Sequence, residues 1–254
     1  MSTLPTLTTA IPDWLSLEIA NRMMDKLTVV KLEAEHIFHS GSVQLGLMHK
    51  RFPKARHYCS NAKLEHSSIQ RLLLQLLKRP SVQFHSTDAL RPQHLMDLVW
   101  SNLELQHHPQ PELLVQSWER LLKPESLLMF AYLGPDTGKE LRLMGGASEP
   151  IAGAWDMHDV GDALLKSGFA EPVMDMEYIT LEYEHLDLLL KDAMELGLVD
   201  EKGSDLIKAN PELAPLKMTL EVVYGHAWTP ERRLSKSHDG VAKIGIDQIL
   251  RSKQ

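Results

Sequence analysis

Apolar positions along the chain fall into two rhythms. Trp14, Leu17, Ile19, Met23, Met24 and Leu27 recur near helical spacing and predict a helix over 13–27. Short apolar runs at 35–40, 55–60 and 82–86 read as buried strands. Between them, 43–52 has helical character and stops before Pro53, and a leucine-rich face at 64–79 predicts a helix ended by Pro80. The clearest pattern follows. MDLVWSN (96–102) is a buried strand, PELLVQSWERLL (111–122) an amphipathic helix, and SLLMFAYLG (126–134) a second continuous apolar strand. Strands that alternate with helices and lack period-two alternation indicate a parallel α/β sheet. A helix at 158–167, a strand at 173–183, a helix at 184–196 and a final strand at 219–228 complete the series.

This order reads as one domain over 13–228 with an insertion at about 184–217. A Thr/Pro-rich loose segment (1–12) precedes it, and a polar tail (229–254) follows. Composition agrees: 254 residues with 43% hydrophobic and 24% charged positions bury a sizeable core. Lys and Arg number 27 against 34 Asp and Glu, a net charge of −7. A mildly acidic chain without a basic stripe argues against nucleic acid. No run of about 18 apolar residues is present, so no membrane span is expected. The single cysteine, Cys59, has no internal disulfide partner, and the first residues lack a signal-peptide pattern; both point to the cytoplasm. The 13 histidines form no set with metal-ligand spacing, so no metal is expected.

The run DLVWSNLELQHHPQPELLVQSWERLLKPESLLMFAYLGPDTGKELR (97–142) resembles the class I S-adenosylmethionine-dependent methyltransferases, and most the malonyl-acyl-carrier-protein O-methyltransferase family of biotin synthesis. Asp97, Ser101, Asn102, Leu103, Leu105 and Gln106 match that family's fourth strand and turn. Gly134, Pro135, Asp136, Thr137, Glu140, Leu141 and Arg142 match its next strand exit. Residues 156–183, the YGHAW strand (224–228) and the helix at 18–27 carry further likeness. The resemblance implies a three-layer α/β sandwich with a mostly parallel seven-stranded sheet whose last strand is antiparallel. It implies S-adenosylmethionine as cofactor and a malonyl thioester, carried on acyl-carrier protein, as partner and acceptor.

The same resemblance places the cofactor against Ser40, Gly41, Asn61, Asp88, Ser101 and Asn102, and the acceptor against Arg142 and His158. Arg142 would pair the malonyl carboxylate bidentately. The acceptor is already a carboxylate, so no general base is required and no catalytic residue is assigned.

Against the family's pattern the cofactor end is eroded. The acid of the first strand is His39, two of the three glycines that follow are Val43 and Leu45, and the ribose acid is Asn61. The adenine-side acid falls on Ser86, with Asp88 two residues on, and the lid's Tyr-Asp pair on Thr9 and Ala10. The Gly-Gly after Lys123-Pro124 is Glu125-Ser126. A β-branched residue stands where backbone must approach a ligand, and a charge-assisted hydrogen bond is worth roughly 1.5–3 kcal/mol. The chain holds 14 glycines, and the absentees at 43, 45, 125 and 126 read together as a released cofactor constraint. Two functions stay open: a methyltransferase with impaired or lost transfer, and a pseudo-enzyme that binds or regulates a partner such as a related methyltransferase.

Plainer readings stand beside these. Trp100, Trp118, Trp155 and His226 suit a core, and Cys59 is no nucleophile. Arg142 also suits a surface ion pair with Glu140 or Asp136, and His158 the first turn of a helix capped by Asp156. The leucines of 186–197 suit a core face before a docking face.

Overall fold

A computed structural model describes residues 11–59, 82–84, 95–108, 110–143, 155–213 and 216–231. The expected helix at 64–79, the loose N-terminal segment up to residue 10, the tail beyond 231, and Asn61 and Asp88 lie outside the described residues.

Seven strands form one sheet: β1 (His36–Gly41), β2 (Arg56–Cys59), β3 (Val82–Phe84), β4 (Met96–Asn102), β5 (Leu122–Leu133), β6 (Ala170–Glu182) and β7 (Lys217–Trp228). Their order is β3-β2-β1-β4-β5-β7-β6. The pairs from β3 to β5 are parallel, and β7 runs antiparallel to both β5 and β6. This is the expected sandwich. The helices are α1 (Asp13–Thr28), α2 (Leu45–Arg51), α3 (Pro111–Leu121), α4 (Lys139–Leu143), α5 (Met157–Ser167), α6 (Leu186–Glu195) and α7 (Glu201–Ala209).

Two apolar layers cover the sheet because side chains alternate across it. Leu127, Met129, Ala131 and Leu133 of β5 join Leu15, Ile19, Met23 and Leu27 of α1 and Leu189 of α6 on one side. Leu128, Phe130 and Tyr132 join Trp118 of α3 and Leu164 of α5 on the other. The central strands β1, β4, β5 and β7 are buried on both faces over most of their length, which is why their sequences are near-continuous apolar runs, whereas the edge strand β6 alternates with exposed positions. Trp100 and Trp118 are fully buried, as expected, and Trp155 is half-buried. The insertion between β6 and β7 holds two helices, α6 and α7, where the sequence foresaw one.

Asp97 and the Gly134–Arg142 run are chiefly architectural. Asp97 accepts from the backbone N–H groups of Glu35 and His36 and pairs with Lys123, joining the amino ends of β1, β4 and β5. Burial opposes its ionisation, yet Lys123 and the two amides hold it below the usual carboxylate range. Gly134 lies so close to Glu221 that any side chain there would overlap its carboxyl. Thr137 Oγ1 accepts from the Glu221 N–H at 3.1 Å, and Glu140 accepts from the Thr219 N–H at 3.1 Å. The run therefore ties the exit of β5 to the entry of β7.

Glu125 and Ser126 correct one expectation. They lie at the amino end of β5, where Thr229 caps it, at the far end of the sheet from Gly41. Their family glycines were therefore no part of a ligand cradle. Glu125 adopts φ +54°, a left-handed conformation that costs a side-chain-bearing residue roughly 1–2 kcal/mol. Glu125→Gly is expected to raise stability by about 0.5–1 kcal/mol after the entropy lost to glycine, read from the urea midpoint. An unchanged or lower midpoint would refute the strain.

Candidate functional site

The sheet reverses its order between β1 and β4, and the crevice outside the carboxyl ends of such neighbours is where this architecture binds ligands. Four of the expected cofactor residues meet there. Ser40 is in register with Ser101, and Gly41 with Asn102. Gly41 has φ +81°, and a side chain on it would overlap the Asn102 carbonyl and stand 3.0 Å from Glu104 Cβ. Glycine at 41 is thus demanded by the strand ends themselves. The Ser42 N–H closes the turn by donating to the Asn102 carbonyl at 2.9 Å.

The first turn of α1 packs onto this corner. Asn102 Nδ2 donates to the Ser16 carbonyl at 2.8 Å, and Gln44 Nε2 to Ser16 Oγ at 3.0 Å. Trp118 Nε1 donates to Ser40 Oγ at 3.3 Å. Two buried oxygens have no protein partner: Asn102 Oδ1 and Ser101 Oγ. A buried acceptor without a donor costs about 1–3 kcal/mol, so such atoms point to a ligand or water. They fit the donor-rich amino-acid end of S-adenosylmethionine.

The acid position of β1 does not fit it. His39 is fully buried, and its Nε2 shares a hydrogen bond of 3.0 Å with Nδ1 of His57 on β2. The rings tilt at 35° with centroids 5.2 Å apart. Burial pushes the His39 imidazole down to about 3, with His57 adding repulsion. Burial likewise pushes His57 to about 4, with His49 of α2 opposing its charge. A neutral imidazole turned sideways into β2 supplies no negative charge for an ammonium group.

On the acceptor side the outcomes differ. Arg142 forms neither expected ion pair. Its Nη1 donates to the Pro135 carbonyl at 2.6 Å, while Asp136 pairs with Lys139 and accepts from the Tyr178 hydroxyl, and Glu140 is held by Thr219. His158 is exposed in the first turn of α5, and its N–H donates to the Asp156 cap at 2.8 Å, as the capping reading expected. Nearby, the buried Tyr132 hydroxyl and Trp155 Nε1 have no partner. Burial, then the carboxylates of Asp156 and Glu221, push the Tyr132 phenol up. Burial also raises Glu221 against the Asp136 N–H it accepts from. His226 is half-buried on β7 and burial lowers it.

Sequence reasoning missed Ser16, Gln44, Glu104 and Tyr132. Ser16 and Tyr132 reach the site only through long-range packing, and Gln44 lies in the turn after Gly41. Glu104 carried a signal: it is an acid at the variable position of the Ser-Asn-Leu-x-Leu-Gln turn. A cavity of about 500 Å3 opens at the opposite end of the sheet, lined by Glu33, Arg51, Lys54 and Asp97 among others, and its mixed charges suit no single ligand class. Among the described residues, no group of three or more His, Cys, Asp or Glu is arranged to hold a metal ion, and no helix is long and apolar enough to cross a membrane.

Comparison with known proteins agrees with this fold. The chain is 31% identical over 87% of its length to a malonyl-acyl-carrier-protein O-methyltransferase of Laribacter hongkongensis, covering 85% of that protein. It is 34% identical over 89% of its length to one of Gallionella capsiferriformans, covering 87% of it. Among solved structures, the YcgJ protein from Bacillus subtilis matches with TM-score 0.58 and 11% identity over 84% of this chain and 100% of that one. A methyltransferase-like protein of Bacillus halodurans matches with TM-score 0.58 and 13% identity, over 83% of this chain and 99% of that one. These two likenesses show the fold. No family model matches the chain.

Proposed function

The chain belongs to the malonyl-acyl-carrier-protein O-methyltransferase family, and from that premise we propose that it carries out S-adenosylmethionine-dependent methylation of the free carboxylate of a malonyl thioester, a step of biotin synthesis, with transfer impaired. The reading rests above all on the joined ends of β1 and β4, where Ser40, Gly41, Ser101 and Asn102 meet and leave two buried oxygens unpartnered. When bound, the cofactor supplies an electrophilic methyl group. The chain supplies position and exclusion of water, which is most of what an in-line displacement needs. Asn102 and Ser101 offer acceptors to the amino-acid end. Gly41 keeps the strand ends close, and α1, held by Ser16, closes that corner from one side.

No residue need remove a proton, because a carboxylate is already nucleophilic. Arg142 remains the cation offered to that carboxylate, since no described residue gives it a carboxylate partner. Impairment follows from His39. Replacing a carboxylate by a neutral, turned-away imidazole removes a charge-assisted bond, worth about one to two decades of affinity. The same inward turn of His39 favours a second reading, a partner-binding protein without transfer.

Isothermal titration of the full chain with S-adenosylmethionine and S-adenosylhomocysteine separates the two. Dissociation constants between roughly 10 μM and 1 mM are expected. Absence of heat at millimolar ligand would sink the methyltransferase reading in favour of the second.

A further inference from the structure

The β4 end does something unusual after Asn102. Leu103 adopts φ +56°, a left-handed conformation that a leucine takes only when the surroundings impose it. Its N–H donates to the Ala131 carbonyl of β5 at 2.9 Å, which holds the kink in place. The kink brings the next residue, Glu104, back over Gly41: its Cβ and N–H stand 3.0 and 3.2 Å from the point a side chain at 41 would occupy. Glu104 therefore sits at the carboxyl end of β1, beside the position from which the family acid is missing.

Among the described residues its carboxylate has no hydrogen-bond or ion-pair partner. Burial raises it above the usual carboxylate range, and among the described residues only His108 offsets that by its charge. His108 itself is engaged through Nδ1 with the backbone of Gln110. A half-buried carboxylate with no partner is costly, and it is the kind of group a cationic ligand relieves. Asn102, the strand partner of Gly41, has an Oδ1 that is fully buried, unpartnered and able only to accept. The pair matches a group that carries a positive charge and several N–H donors.

We propose that Glu104 has taken over the charge that His39 gave up: its carboxylate pairs with the ammonium group of the cofactor's methionyl end, with Asn102 Oδ1 as a second acceptor. This inference rests on the reading that the site takes S-adenosylmethionine. It identifies the site as rebuilt from β4 rather than erased. The acid has moved from the strand that precedes the glycine turn to the loop that covers it.

The test is isothermal titration of the full chain with S-adenosylhomocysteine and with the analogue that lacks only the amino group. The wild type is expected to prefer S-adenosylhomocysteine at least about tenfold. In Glu104→Gln that preference collapses to near unity, through weaker binding of S-adenosylhomocysteine alone. Glu104→Asp retains part of it. The melting temperature of each variant stays near the wild type, since no described residue bonds the Glu104 carboxylate. Equal wild-type binding of the two ligands, or an undiminished preference in Glu104→Gln, overturns the inference while leaving the cofactor reading intact. Failure of the wild type to bind either ligand overturns both. If Glu104→Gln does not fold, Glu104→Asp and the refuting outcome of equal wild-type binding keep the inference falsifiable.

Discussion

Lowering the pH from 7 to 5 is expected to cost the folded protein about 4 kcal/mol, about 2 for each of His39 and His57. Both have folded values below the unfolded value of about 6.5, at about 3 and about 4. Between those limits the unfolded chain binds protons that the folded chain refuses. Stability is therefore full above the unfolded value and is lost as pH falls toward the folded ones. Each histidine contributes a slope of at most about 1.4 kcal/mol per pH unit.

Among the described residues no carboxylate acts on either ring, so none supplies a counter-charge to an imidazolium there. His49 of α2 faces His57, and its Nδ1 is buried and unpartnered too. His39 Nδ1 and His57 Nε2 likewise lack partners. Protonating His39 or His57 adds charge to a buried site already crowded with imidazoles. The carboxyls of Glu104 and Glu221, which burial raises, shift stability in the opposite sense. Urea unfolding at pH 7, 6 and 5 reads the slope. In the His39→Asn, His57→Asn double variant it should flatten, and a wild type equally stable at pH 7 and pH 5 would refute the account. Most single domains have only about 5–15 kcal/mol to lose, so the effect reaches the working range of the protein.

Gly225→Ala is expected to destabilise by about 3 kcal/mol or more. Gly225 lies in the middle of β7, in register with Phe130 on β5 and Met174 on β6. The Phe130 ring folds over it, and an added methyl would overlap three ring carbons. The ring has nowhere to go. It is fully buried between Trp118, at 6.1 Å and 31°, and Tyr132, at 6.2 Å and 16°. Overpacking a close-packed core costs 1–3 kcal/mol even where neighbours yield, and here the neighbours are the largest side chains of the layer. Phe130→Leu should restore part of the loss in the Gly225→Ala background, giving a coupling energy in a double-mutant cycle. Stability of Gly225→Ala within about 0.5 kcal/mol of wild type would show that the ring is not confined.

These two sites bear on how much of the protein could be read from its chain. Gly225 sat inside a strand that periodicity identified, yet nothing local told that an aromatic 95 positions earlier covers it. His39 was recognised as a misfit against the family pattern. That it bonds to His57 rather than facing a ligand follows from strand pairing across 18 residues. Arg142 shows the reverse case. Its spacing to Glu140 and Asp136 suggested an ion pair, but Glu140 is committed to Thr219, 79 residues away, and the guanidinium turns to a carbonyl instead. The glycine deficit split in two once placed. Val43 and Leu45 follow the cofactor turn, whereas Glu125 and Ser126 belong to the far end of β5.

What the sequence determined alone was the series of strands, the parallel sheet and the family. Those depend on the period of burial and on long motif runs, both of which are local. What only the tertiary structure decided was the chemistry of the strand ends. A residue's direction at the end of a strand is set by its neighbours in the sheet and by the helix that lands on it. That is why Asn102 reaches Ser16, 86 residues before it, and why Leu103 bends left-handed. It is also why Glu104, unremarkable in the chain, stands over Gly41 where the missing acid would have acted.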